Sequence, residues 1–73
     1  GGMNVTMEVS VPESWDGKTI VELDVRNNYG INVLAVRTDG NLNINVNANT
    51  TFNKNQTLLV LGEDKDILKC FKI

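Results

Sequence analysis

Arg26 and Asn32 are the side chains of this sequence best suited to chemistry, and that chemistry is recognition rather than bond making. A guanidinium presents a rigid fork of donors that grips a phosphate or carboxylate through two hydrogen bonds. An amide both donates and accepts, and so matches a purine edge. Each residue also has a plainer use: Arg26 follows Glu22 at the spacing of an ion pair along one helix, and Asn32 lies between Ile31 and Val33, where a strand turns it to solvent. A second constellation is the comb NLNINVNAN at 41–49, in which Asn41, Asn43, Asn45, Asn47 and Asn49 alternate with apolar residues. Its amides either pair with the same strand of a second copy or form a solvated outer face. Glu63, Asp64 and Asp66 present carboxylates to a hard cation or, lacking the spaced ligands of an EF-hand loop, favourable charge to a helix N-terminus.

Composition removes most other chemistries. The chain has no histidine, so it lacks the usual general base and zinc ligand, and Cys70, its one cysteine, has no partner for an internal disulfide and no histidine to activate it. No enzyme, no catalytic residue and no metal site is expected. The net charge of −2, from 9 acidic and 7 basic residues without a basic run, disfavours a nucleic-acid polymer as partner. No apolar run reaches the ~18 residues that span a bilayer, so direct membrane insertion is not expected. The sequons at Asn4, Asn49 and Asn55 read as chance products of an Asn- and Thr-rich chain. Gly1-Gly2 reads as a cloning remnant, leaving 3–73 as one domain. A domain this small buries only about 60% of its unfolded surface, so a partner surface would help it.

The elements that must position these residues follow from periodicity. Residues 5–11 alternate apolar Val5, Met7, Val9 and Val11 with polar residues, the signature of a half-buried strand that Pro12 ends. Thr19 and Glu22 form a capping box for a helix of two or three turns, closed near Tyr29-Gly30. A strand over 31–37, apolar almost throughout, turns at Thr38-Asp39-Gly40 into a return strand over 41–48, whose Leu42, Ile44, Val46 and Ala48 share one face. After a polar connection carrying Phe52 come a buried strand over 57–61, closed by Gly62, and a helix over 63–71 with Ile67, Leu68 and Phe71 on one face. Cys70 belongs on that helix as a small core or interface residue. The fold class is α+β: a small, mostly antiparallel sheet of about four strands with two helices, in the order β-α-β-β-β-α.

The segments GKTIVELDVRNNYGINVLAVRTDGN (17–41) and LLVLGEDKDILKCF (58–71) resemble the C-terminal domain of the regulators of potassium conductance, the TrkA-C or RCK C-terminal type. Gly17, Leu23, Arg26, Tyr29, Gly30, Gly40, Gly62 and Asp66 match its pattern in order and spacing, and the likeness covers residues 7–71. It implies that family's fold and a regulatory module of potassium transport. Such modules pair as homodimers, help form a gating ring, and serve a membrane potassium-transport subunit from the cytoplasm, peripheral to the inner membrane. No cofactor is implied in this domain, since NAD or ATP belongs to a separate dinucleotide-binding domain that precedes it. In the KtrA-like branch the resemblance implies cyclic di-AMP bound between two copies, with contacts falling on Arg26, Asn32, Ile31, Val25 and the segment Val46-Asn47-Ala48. That last segment departs from the family, which commonly carries Pro-x-Pro there, whereas Val46-Asn47-Ala48 keeps its N–H groups. A ligand-free assembly domain, or the same module on another transporter, is the competing expectation.

Overall fold

The computed structural model describes residues 2–73; Gly1, half of the expected cloning remnant, lies outside them. In chain order the elements are β1 (Asn4–Ser10), a 3₁₀ turn (Glu13–Trp15), α1 (Ile20–Leu23), α2 (Val25–Tyr29), β2 (Asn32–Thr38), β3 (Asn41–Asn43), β4 (Thr57–Glu63) and α3 (Asp64–Phe71). The strands form one antiparallel sheet in the order β1-β4-β2-β3. β4 is an interior strand, paired with β1 on one side and β2 on the other; its residues 58–61 are apolar throughout, and burial alternates along it, with Leu58 and Val60 fully buried. Helix α3 packs over β4 and β1. The core joins Val9, Val36, Leu58 and Val60 of the sheet to Val25, Ile31, Ile67 and Cys70, and extends to Val11, Trp15 and Phe52.

Several local signals act as read. Asp39 and Gly40 both take positive φ, 50° and 82°, the requirement of a two-residue hairpin turn, and this sets Thr38 opposite Asn41. Gly30 closes α2 in the left-handed conformation at φ 72°. The capping box is present: the Glu22 N–H donates to Thr19 Oγ1 (3.3 Å) and the Thr19 N–H to Glu22 Oε1 (3.0 Å). The near-continuous apolar run of β2 has a specific cause, a register shift between Val33 and Ala35 that makes Leu34 an extra residue. Ala35 and Val36 are consequently both buried, while Leu34 is exposed.

Three expectations are corrected. The helix over 19–29 is two helices, broken at Asp24, which adopts the left-handed conformation (φ 48°, ψ 43°). Aspartate tolerates that conformation because its short side chain bonds locally, here accepting from Asn27 Nδ2 at 2.9 Å. On α3 the buried side is Ile67 and Cys70, with Phe71 half-buried and Leu68 exposed. Burial pushes the Cys70 thiol up to about 11, the state of an inert core cysteine. The return strand over 41–48 covers only Asn41–Asn43, and Leu42 and Ile44 face solvent.

The comb fails as a strand because its asparagines bond their own backbone. The Asn45 N–H donates to Asn43 Oδ1 (2.9 Å) and the Asn49 N–H to Asn47 Oδ1 (2.8 Å), and Asn53 repeats the motif with Asn55 N–H (3.0 Å). These Asx turns offer each N–H an acceptor two residues back and so compete with the strand ladder. Spacing of two suits a strand, but it equally suits a run of such turns.

On the face of the sheet away from the helices, Arg37 of β2 reaches across β4 to Glu8 of β1. Nε donates to Oε2 at 2.8 Å and Nη2 to Oε1 at 3.2 Å, while Thr57 Oγ1 donates to Oε2 at 2.6 Å. The Arg37 fork, and after it the Thr57 hydroxyl, holds the Glu8 carboxyl below its ordinary value of 4.5. A depressed folded pKa contributes stability that is complete above the unfolded value and is lost as pH falls through the folded one. The gap between the urea midpoints of the wild type and Glu8→Gln should therefore be constant near neutrality and close as the pH drops below 4.5. A gap that persists unchanged through the acid transition would contradict this assignment.

Candidate functional site

Beside the break at Asp24 the surface folds into a groove of about 320 Å³. Val25, Arg26, Ile31, Asn32, Val46, Asn47 and Ala48 all border it, together with Ile20, Val21, Asp24 and Val33. All seven positions singled out in the sequence thus meet at one place, although they come from three separate segments. Asp24, in the left-handed conformation, separates α1 from α2, and both helices line the groove: Ile20 and Val21 from α1, with the Val21 N–H bonded to Ala48 O of the comb loop, and Val25 and Arg26 from α2.

The individual roles differ. Val25 (4% exposed) and Ile31 (0%) are core residues that back the groove from beneath rather than open onto it. Arg26 is exposed at its rim and Asn32 half-buried at the first position of β2, paired with Leu61. The helical ion pair considered for Arg26 does not form, because Glu22 is committed to the capping box: Thr19 donates to it from both backbone and hydroxyl, which also lowers its pKa. The ion pairs among the described residues are Arg37–Glu8 and Lys65–Glu63, so the Arg26 guanidinium has no carboxylate partner. Val46 is half-buried, and Asn47 and Ala48 are exposed. The Asn47 carbonyl oxygen of the side chain is already engaged by the Asn49 N–H, so Asn47 serves the loop's own geometry.

Ile20, Val21, Asp24 and Val33 were not singled out by sequence reasoning. The capping box placed Ile20 and Val21 in a first helical turn, but nothing local said that this turn would face the comb. Asp24 followed by Asn27-Asn28, a cluster of poor helix formers that tolerate the left-handed conformation, was the one available sign of the break. What the assembled groove offers is a guanidinium at the rim, an amide beside it and aliphatic walls, with the Asp24 carboxylate as acceptor. Its size is at the lower end of ligand pockets, which run from ~300 to 1,000 Å³.

The profile described as the TrkA-C domain matches residues 6–73. No curated protein matches the sequence. Among solved structures, the RCK C domain of the potassium transport protein KtrA in complex with cyclic diadenosine monophosphate is 29% identical, with a TM-score of 0.87 over 94% of this chain and 81% of that one. The GsuK RCK domain is 22% identical (TM-score 0.80), and the match covers 94% of this chain but 15% of the GsuK chain. The RCK_C domain dimer of S. agalactiae BusR in complex with c-di-AMP is 18% identical (TM-score 0.73, 96% of this chain and 89% of that one). BusR has also been solved with its busA-promoter DNA, as a longer chain of which the match covers 37%. At these identities the GsuK and BusR likenesses establish the fold, an RCK C domain.

Proposed function

Because the chain belongs to the TrkA-C domain family, matched over residues 6–73, we propose that it is a regulatory module of a potassium transport system that senses cyclic di-AMP between two paired copies. The observation that carries this reading is the convergence of Arg26, Asn32 and the 46–48 segment on one groove. That the KtrA domain, at 29% identity, is solved with the same dinucleotide supports it. Arg26 would clamp a phosphate through charge-assisted bonds. Asn32 would read an adenine edge, and Ile20, Val21 and Val33 would cover the base.

One groove of about 320 Å³ suits a single nucleotide. The ligand consists of two identical halves, so a two-fold pair of grooves facing one another matches its symmetry. Binding regulates by differential affinity: the dinucleotide favours the arrangement of paired domains that presents both grooves to it, and shifts the population towards that arrangement. The domain itself performs no reaction in this scheme, and works from the cytoplasmic side through a membrane subunit.

Calorimetry tests the assignment. The wild type should bind cyclic di-AMP, and Arg26→Ala should bind roughly 10- to 150-fold more weakly, the worth of a charge-assisted hydrogen bond. Absence of heat at high micromolar ligand would defeat the reading. A second reading, ligand-free assembly, draws on the exposed apolar side chains of Val21 on the groove and of Leu42 and Ile44 on the comb. Sedimentation without ligand separates the two, because assembly of that kind gives a dimer that cyclic di-AMP does not strengthen.

A further inference from the structure

Helix α1 has only four residues, Ile20–Leu23, far fewer than an isolated helix needs to persist. It stands because each of its first four N–H groups has an acceptor. Glu22 and Leu23 donate to the Thr19 hydroxyl and carbonyl (3.3 and 3.2 Å), and Ile20 and Val21 donate to the carbonyls of Thr50 and Ala48 (3.2 and 3.0 Å). The comb loop thus caps a helix that lies well before it in sequence, and the contact continues outward. Thr19 bridges Thr51, the Phe52 N–H donates to Lys18 O (2.9 Å), and the Gly17 N–H donates to Phe52 O (2.8 Å). Loop and helix therefore form a single wall of the groove.

What holds the loop in capping shape is a reciprocal pair. The Asn47 N–H donates to Thr50 Oγ1 at 2.9 Å, and the Thr50 N–H donates back to Asn47 O at 3.0 Å. Thr50 is half-buried and does not itself border the groove, whereas Val46, Asn47 and Ala48 do. We propose that Thr50 is a positioning residue: its hydroxyl locks residues 46–48 and, through Ala48, helix α1 into the ligand-competent wall. The proposal rests on the ligand reading above and adds how the site is kept in shape.

Thr50→Val keeps the side-chain shape and backbone preference and removes the hydroxyl, and with it the acceptor for the Asn47 N–H. The Asn47 N–H, in an exposed loop, then turns to water, so the urea midpoint should fall by no more than one net hydrogen bond is worth and the domain stays folded. The fraction of molecules with a competent wall falls, and apparent affinity falls with it. The expected loss is at most about 12-fold, the upper limit set by one net hydrogen bond. It should appear as slower association of cyclic di-AMP with unchanged dissociation, the signature of a pre-organisation defect rather than a lost contact. Thr50→Ser should restore the wild-type rate. Amide hydrogen exchange provides a readout without ligand, since the Val21 and Asn47 protons should exchange faster in Thr50→Val alone. A wild type that binds no dinucleotide defeats the ligand reading, and exchange then decides the coupling by itself. Unaccelerated Val21 exchange in Thr50→Val, or a Thr50→Val association rate equal to that of a wild type that binds, overturns the assignment of Thr50.

Discussion

Phe52→Ala is expected to destabilise the domain by about 3–5 kcal/mol, the range for emptying a buried aromatic site. Phe52 is 1% exposed although it lies outside every helix and strand. Its ring stacks on Trp15 at 5.9 Å between centroids, and Trp15 in turn packs against Phe71 at 5.1 Å. The three aromatics join the 3₁₀ turn, the loop after the comb and α3. The Phe52 backbone also closes both hydrogen bonds to residues 17 and 18. Domains of this length have total stabilities of roughly 4–11 kcal/mol, so the variant should lose a large share of its stability and, at the lower end of that range, unfold. Urea unfolding followed by Trp15 fluorescence measures the loss directly. A cost under about 1 kcal/mol would mean that the aromatic cluster is peripheral, contrary to its burial.

Ile31→Ala should cost about 2–5 kcal/mol, since Ile31 is 0% exposed and joins the sheet core to the groove. Its neighbour across the sheet is Gly62, where an added Cβ would stand 3.3 Å from Ile31 Cγ1 and 3.4 Å from the Gly30 carbonyl oxygen. Gly62→Val should therefore cost about 1–3 kcal/mol by overpacking. The two losses should not add. The space left by Ile31→Ala accepts the valine, and the double variant should be more stable than the sum of single effects by about 0.5–3 kcal/mol. Additive losses in a urea-denaturation cycle would show that Gly62 is constrained by the Gly30 carbonyl instead.

The Gly62–Ile31 approach also shows how far sequence reading carried. A strand from 57 onward was legible, but Gly62 does not close it: β4 runs on to Glu63 with Gly62 paired to Val5, and the glycine is there because Ile31, the residue before β2, packs against it. The same division runs through the candidate site. Residues 25, 26, 31 and 32 are near one another in sequence, and the turn at Gly30 makes their proximity readable. Their meeting with 46–48 came from the resemblance alone, and the groove that unites them depends on the left-handed Asp24. The comb was misread for a physical reason: alternation reports a period of two, and both a strand and a chain of Asx turns have that period. Asparagine's capacity to bond the N–H two residues on decides between them after Asn43.

Sequence by itself determined the α+β class, the four strands and their hairpin, the capping box at Thr19 and Glu22, the glycine cap at Gly30 and the family pattern. These are set by interactions within a few residues or by hydrophobic period, which any window of the chain displays. Only the tertiary structure decided the sheet order β1-β4-β2-β3, the division of the first helix and the shape of the groove. It also set the partnership of α1 with the comb loop. The N–H groups of Ile20 and Val21 had to find acceptors somewhere, and they find them on Thr50 and Ala48. A need for hydrogen bonds is written in every helix end, but which distant carbonyl meets it depends on how the whole chain packs.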